Sequence, residues 1–325
     1  MKTYHWGIIG LGKIAHKFAK DLQTLPNAKL WAVASTLQSR ADDFAAEYGA
    51  PNAFGTYEDL VNCPDLDVVY IATPHTGHFP CTMLCLENKI PVLCEKPFGI
   101  NAEEVAKMIQ TAKENDTFLM EALWTRFLPK TIEILKLIDE DKIGKIVEIQ
   151  ADFGFKAKFD PESRLFKKEL GGGALLDIGI YPLFLSLLLL GEPTEIQANA
   201  IFGETNVDES TSMILTHNAT NQVAILHSTL RATTPTEAFI YGEKGFIKIH
   251  SRFHEPYSGI TLHLYEDEEQ FFSFENTCIG YAYEAAEVMQ CLSQNKKESA
   301  RLPLSFSTKL IKLLDDVAKK TLLSS

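Results

Sequence analysis

Tyr4-His5-Trp6-Gly7-Ile8-Ile9-Gly10-Leu11-Gly12-Lys13-Ile14-Ala15 decides the fold class of this chain. An apolar run of strand character feeds a G-x-G-x-x-A turn, and helix-forming sequence follows at once. Gly10 permits the tight turn, the bare Cα of Gly12 lets a pyrophosphate approach the backbone, and the small Ala15 lets helix pack on strand. The N–H groups and positive dipole end of the helix starting near Lys13 then favour an anion. Leu11, Lys13 and Ile14 complete the turn and join the expected dinucleotide contacts.

Outward from this turn, short apolar runs alternate with helical stretches up to about residue 121. Strands are expected at Tyr4 to Ile9, Leu30 to Ala34, Val68 to Ala72, Pro91 to Cys94 and Phe118 to Met120, with helices near 14–24, 40–48, 78–88 and 102–115. Strand followed by helix, repeated, means crossover connections and a doubly wound parallel sheet, which takes its ligand at the carboxyl ends of the strands. Past residue 122 the rhythm changes. A helix near 129–139, an alternating run from Ile146 to Phe155 and an apolar helix near 174–190 lead into seven strand-like runs between 195 and 274. Helices near 280–293 and 304–322 follow. The expected architecture is α/β: a Rossmann domain over residues 1–121, then an α+β substrate-binding domain with a large, mostly antiparallel open sheet over 122–325.

The chain has 325 residues, more than the usual ~100–200 of one domain, which agrees with two. A formal net charge of −12 and a pI of about 5.3, with no basic stripe, argue against nucleic acid as a partner. The uncharged run from Ile178 to Gly191 is shorter than the ~20 residues of a membrane helix and reads as a buried helix, so no membrane association is expected. No signal-peptide pattern stands at the N-terminus, and the six cysteines include no C-x-x-C pair. Reduced core thiols in a cytoplasmic protein are the expectation.

Cofactor choice is read at the end of the second strand. NAD-binding turns carry Asp or Glu about 20 residues after the glycines; here the strand ends in Ser35-Thr36, with Arg40 beyond. A carboxylate ~4 Å from a 2′-phosphate would cost about 4 kcal/mol at an effective dielectric of ~20, so its absence favours NADP. NAD stays an alternative. The strongest chemical signal is Cys94-Glu95-Lys96-Pro97, at the ligand edge of a strand: Lys96 can set its ammonium near a substrate oxygen, and Pro97 stiffens the backbone that carries it. Downstream, Gly171-Gly172-Gly173 precedes a segment in which Asp177 and Tyr181 stand at i and i+4. They share a face if the segment is helical, a condition set by Pro182. A helix cap and a core aromatic are the plainer alternative. His75 and His78, after the Val68 to Ala72 strand, lack a third ligand at metal-site spacing, so no metal is expected and cofactor contact is. Trp124, Arg126 and Phe127 either wall a substrate pocket or form a hydrophobic hinge. Phe153, Phe155 and Arg164 are further pocket candidates.

Together, Gly10 to Ala15, Ala72-Thr73-Pro74-His75-Thr76-Gly77-His78, Glu95-Lys96-Pro97 and Gly171 to Tyr181 resemble, in order and spacing, the glucose–fructose oxidoreductase, inositol dehydrogenase and MocA-type (Gfo/Idh/MocA) family. Many members carry histidine where this chain has Tyr181. Tyrosine there, with Met120-Glu121-Ala122-Leu123-Trp124-Thr125-Arg126-Phe127, is similar to the subgroup of dimeric trans-dihydrodiol dehydrogenases and NADP-dependent D-xylose dehydrogenases. The resemblance spans nearly the whole chain, though its motifs thin out after about residue 190.

The resemblance implies that Lys96 and Tyr181 are catalytic, with Asp177 holding substrate or lysine. It implies that Gly10 to Ala15, Ser35, Thr36, Arg40, Glu95 and Lys96 serve the cofactor, and that Thr73, Pro74, His75 and His78 line its nicotinamide side. Trp124, Arg126, Asp177 and Tyr181 then face the substrate, a small polyol, aldose or cyclic vicinal diol, and the late sheet makes a homodimer. One departure matters. Subgroup members commonly place a further arginine where this chain has Thr36, and losing a guanidinium is worth about 1.5–3 kcal/mol, which leaves dual cofactor use open. Two rivals stand beside a dehydrogenase: an NADP(H)-binding sensor without turnover, and the NAD-dependent glycosidase type of the same family.

Overall fold

The structure is a computed structural model that describes residues 2–266, 268–275 and 277–323. The chain divides into two compact units, residues 1–127 with 277–308, and residues 128–276 with 309–325.

The first unit holds six parallel strands: β1 (Tyr4–Ile9), β2 (Ala28–Ala34), β3 (Asn52–Phe54), β4 (Val68–Ile71), β5 (Val92–Glu95) and β6 (Leu119–Ala122), in the order β3-β2-β1-β4-β5-β6. The expected doubly wound sheet is present. The crossover helices are α1 (Lys13–Leu22), α2 (Gln38–Tyr48), α3 (Tyr57–Leu60), α4 (His75–Glu87) and α5 (Ala102–Glu114). Apart from the single-turn α3, each buries a stripe at helical spacing, as Ala15, Phe18, Ala19 and Leu22 do on α1. Asn101 starts α5 by accepting the Glu104 N–H at 2.9 Å, with Glu103 and Glu104 at the positive end of the helix dipole. Two elements are additions to the sequence reading: β3, too short to show a period, and the single-turn α3. A third difference is that α4 begins at His75, so both histidines are helical.

The division after residue 121 also misses a return of the chain. Helix α8 (Tyr281–Ser293) and the segment to 308 fold with the first unit. Its N-terminus is held by Asp21 of α1, whose buried carboxylate accepts the Ile279 N–H at 2.9 Å and the Ala282 N–H at 3.1 Å. Phe18 stacks on Tyr70 at 3.7 Å and meets the edge of Tyr281 at 6.4 Å. Further on, the Leu119 N–H donates to the Lys297 carbonyl at 3.1 Å, so the β6 edge of the sheet is covered.

The second unit holds α6 (Pro129–Asp139), β7 (Ile146–Gly154), a π turn (Leu175–Gly179), α7 (Ile180–Leu190), β8 (Glu195–Phe202), β9 (Asp208–His217), β10 (Gln222–Thr229), β11 (Ala238–Gly242), β12 (Gly245–Ile249), β13 (Ile260–Leu264) and β14 (Gln270–Phe272). Helix α9 (Leu304–Leu323) ends the described chain. The eight strands run in the order β14-β13-β12-β11-β7-β10-β9-β8, antiparallel except for the parallel β7–β10 pair. Along the central strands every second residue, including Ile149, Ala151, Ala224, Leu226, Met213 and Leu215, is buried; α7 packs on β7 and β10. The stretch 168–190 is long and apolar enough to cross a membrane by composition, yet its apolar window is mostly buried within the protein.

The tie between α1 and α8 is testable. Asp21→Ala leaves two backbone donors without their acceptor and is expected to lower unfolding free energy by about 1–3 kcal/mol, read from the denaturant midpoint at unchanged slope.

Candidate active site

In the first unit the sequence-predicted residues fall in one row. Ile9 pairs with Ala34 and with Ile71, Ile71 with Cys94, and Glu95 with Ala122. Gly10, Ser35, Ala72-Thr73, Lys96 and Leu123-Trp124 therefore all leave strands at the same carboxyl edge, where an open α/β sheet takes its ligand.

Gly10 has φ +88°, and an added Cβ would lie 2.7 Å from the Thr73 amide nitrogen, so the turn needs glycine on two counts. Gly12 is different. A Cβ there would have nothing within 4 Å, and Gly12 is the cap residue of α1, with no side chain on its N–H groups. Open space at a helix N-terminus fits a pyrophosphate, with Leu11, Lys13, Ile14 and Ala15 around it. Ser35 is buried, its N–H on the Phe54 carbonyl and its hydroxyl accepting the Leu37 N–H, whereas Thr36 and Arg40 are exposed at the start of α2.

His78 is buried and reaches the Pro97 carbonyl with Nδ1 at 2.7 Å and the Thr73 carbonyl with Nε2 at 3.0 Å. It ties the Thr73-Pro74 turn to the Lys96-Pro97 turn. His75 lies against it, ring centroids 5.8 Å apart. Behind Lys96 sits a buried acidic group: Glu95, expected from the sequence to serve the cofactor, is joined there by Glu121 and Glu284, for which the sequence suggested no such role. Glu95 accepts the Tyr70 hydroxyl and, at 3.2 Å, the Lys96 N–H; Glu121 accepts the Phe98 N–H at 3.1 Å. Burial pushes the Glu121 carboxyl up to about 7 and the charge of Glu95 adds to it, against the Ser307 hydroxyl, the Phe98 N–H and the Lys96 charge. Glu284, on α8, is driven well above the carboxylate range, by burial first and then by the charges of Glu95, Asp21 and Glu121. A shift in that direction lowers the negative charge gathered behind the lysine. Nothing local could have revealed it, since Glu284 reads as an ordinary residue of an amphipathic helix.

Trp124 stacks on Tyr281 at 4.8 Å. The Arg126 guanidinium is made less basic by burial and then by Arg301, against the pull of Glu287, which pairs with Arg301 at 3.3 Å.

In the second unit, Asp177 and Tyr181 span the junction of the π turn with α7. Pro182, two residues inside α7, has no N–H for the Ile178 carbonyl, and the wider turn before it is the local adjustment. The apolar helix expected near 174–190 is thus a π turn followed by an α-helix, with Pro182 in the first turn of the α-helix. The buried Asp177 receives Arg164 in a two-pronged pair, Nη1 to Oδ1 at 2.9 Å and Nη2 to Oδ2 at 3.4 Å. Tyr181 lies 5.7 Å from the Phe153 ring and 4.7 Å from His254, and those two stack at 4.2 Å. His254 escaped the sequence reading because it comes from a distant loop. That loop is held by the buried Lys130, which donates to the Glu255 carbonyl and the Ser258 hydroxyl. Burial brings the Lys130 ammonium down to about 7.

Against known proteins, residues 4–123 match the oxidoreductase family model with NAD-binding Rossmann fold, and residues 131–248 match the GFO/IDH/MocA C-terminal domain. The chain belongs to the GFO/IDH/MocA oxidoreductase family. Among members of this family, it is 38% identical to a trans-1,2-dihydrobenzene-1,2-diol dehydrogenase of Xenopus tropicalis, over 97% of each chain. It is 33% identical to a D-xylose 1-dehydrogenase (NADP(+)) of Hypocrea jecorina, over 98% of this chain and 92% of that one. In fold it is similar to an aldose-aldose oxidoreductase from Caulobacter crescentus, with TM-score 0.91, 21% identity and coverage of 100% and 99% of the two chains. As a GFO/IDH/MocA member the protein is an NAD(P)-dependent dehydrogenase.

The open space beside Gly12 separates binding from folding. Gly12→Val is expected to unfold within about 1 kcal/mol of the parent while weakening NADPH binding at least about tenfold, roughly 1.4 kcal/mol, in a paired denaturation and calorimetric titration.

Proposed function

We propose that this enzyme moves hydride between a nicotinamide cofactor, NADP in preference to NAD, and a carbinol carbon of a small polyol, aldose or cyclic vicinal diol. The observation that carries the reading is the single row of Gly10–Ala15, Thr73–His78 and Glu95–Pro97 along one carboxyl sheet edge, beside the open Gly12 cradle. Ser35 in place of an acidic residue and an exposed Arg40 support NADP, as does the cofactor in the name of the xylose dehydrogenase relative. The substrate classes are those that the relatives' names give.

The nicotinamide supplies hydride transfer when bound. On this reading Tyr181 exchanges the hydroxyl proton of the substrate, Lys96 stabilises the phenolate, Asp177 orients the substrate hydroxyls, and Trp124 and Arg126 bound the substrate. A phenol of ordinary pKa about 10 needs roughly three units, or about 4 kcal/mol, to work near neutrality. An ammonium ~4 Å away at an effective dielectric near 20 supplies about 4 kcal/mol. The sign is favourable, because a positive neighbour stabilises the anionic phenolate and lowers its pKa.

A binding-only sensor would have no use for a lysine and a tyrosine with acid–base roles, and an NAD-dependent glycosidase fits Ser35 and Arg40 less well. We also place the enzyme in the cytoplasm, where its six free cysteines stay reduced. As its partner we propose a second copy docked on the outer face of the large sheet. There Ile214, Ile225 and Tyr265 are exposed, and Phe239, Tyr241 and Phe246 cluster within 6.3 Å of one another.

Assayed with NADP and NAD against aldoses, polyols, cyclic diols and glycosides, the enzyme is expected to give net reduction, faster with NADP. Tyr181→Phe should lose about a hundredfold or more in turnover with cofactor affinity retained. Lys96→Met should lose turnover and move the pH at which oxidation rises to higher values. Full turnover in Tyr181→Phe contradicts the acid–base role; glycoside cleavage without net reduction selects the glycosidase. For the partner, Phe239→Asp is expected to turn a sedimenting dimer into a monomer, and a parent enzyme that is already monomeric removes the dimer.

A further inference from the structure

The helical segment that carries Asp177 and Tyr181 has no cap of its own. Helical geometry begins at Ala174, directly after Gly173, and a glycine offers no side-chain acceptor to the first N–H groups. The acceptor comes from elsewhere in the second unit. Asp208, the first residue of β9, is half-buried, and its Oδ2 accepts the Leu175 N–H at 2.7 Å and the Thr211 hydroxyl at 2.9 Å. Gly173 has φ +123°, and a Cβ added there would fall inside the Asp208 carboxylate. Glycine at 173 is therefore required by the backbone and by the carboxylate together.

We propose that Asp208 is a positioning residue for the reaction: seated against Gly173 and bonded to Leu175, it fixes where the π turn starts and hence where Asp177 and Tyr181 face. The inference rests on the reading of Tyr181 as the acid–base group. Its physical basis is rotational. A helix that starts one residue earlier or later turns every following side chain by about 100°. The π turn before Pro182 departs from the α-helical ladder, and Asp208 supplies an acceptor from outside the segment at the place where that turn begins. An anionic acceptor suits the positive end of the helix. Burial pushes the Asp208 carboxyl up to about 6, against the Leu175 N–H and the Thr211 hydroxyl, so at neutral pH the group is ionised. The folded state holds this proton more tightly than the unfolded chain does, and stability from the group falls as pH rises from the ordinary carboxylate range through about 6. The use of this carboxylate is in its geometry, seated against Gly173 and bonded to Leu175 and Thr211.

The test compares Asp208→Ala, Asp208→Asn and Tyr181→Phe. Turnover is expressed per cofactor-binding site so that misfolded protein does not count, and amide exchange is followed over 174–181 and 183–190. Asp208→Ala is expected to lose at least about tenfold in kcat with cofactor KM unchanged, and to exchange about tenfold faster over 174–181 alone. Asp208→Asn, which keeps an acceptor oxygen, should recover most of both. Should Asp208→Ala not fold, Thr211→Val, which removes one donor from the carboxylate, takes its place with a several-fold loss expected. Unchanged kcat per site in the folded variant overturns the proposal. If Tyr181→Phe keeps full turnover, the acid–base reading is what fails, and exchange alone judges Asp208: faster exchange over 174–181 sustains its hold on the turn, and unchanged exchange ends it.

Discussion

An uncovered helix start beside a side-chain-free residue is the constraint on which the first unit depends. The first N–H groups of a helix need acceptors; Gly12 offers α1 no side-chain cap, and the space its Cβ would enter is open for 4 Å. The same glycine pair lets β1 turn into α1 against the Thr73 backbone. A parallel sheet in the order β3-β2-β1-β4-β5-β6 then brings the carboxyl ends of the five other strands to the same edge. On the proposed reading a dinucleotide binds at this helix start, and everything proposed about chemistry presupposes that anion in that place.

Buried carboxylates surround the lysine turn from behind, and their arrangement is a compromise between charge and dryness. Glu95 and Glu121 hold the backbone of Lys96 and Phe98 as acceptors, while burial and the neighbouring charges push Glu284 toward its neutral form. Three ionised carboxylates in so dry a space would repel one another strongly. Burial pushes Glu121 up to about 7 as well, and a carboxyl accepts a backbone N–H through an oxygen whether or not it carries a proton. The turn that presents Lys96 is thus gripped from the strand side by Glu95 and Glu121 and from the α4 side by His78.

Much of this was legible in sequence because strand ends, glycine turns and proline-marked turns leave local patterns. Gly10 to Ala15, Thr73 to His78 and Glu95 to Pro97 were each readable from a few adjacent residues, and their order along the chain placed them on one sheet. What stayed hidden depends on contacts between distant segments. Arg164 against Asp177, His254 against Tyr181 and Asp208 beneath Leu175 are pairings that no period encodes. The return of α8 to the first unit was equally silent: an amphipathic stripe says that a helix is buried, without saying against which core. β3 has three residues, fewer than an alternation needs. The π turn was foreshadowed only by Pro182, whose effect depends on the turn before it.

Amide exchange with and without NADPH tests the central interaction most directly. The account predicts that saturating cofactor slows exchange of the backbone amides over residues 10–16 and 35–40. Tight binding that leaves residues 10–16 unprotected, or no binding at all, would contradict it.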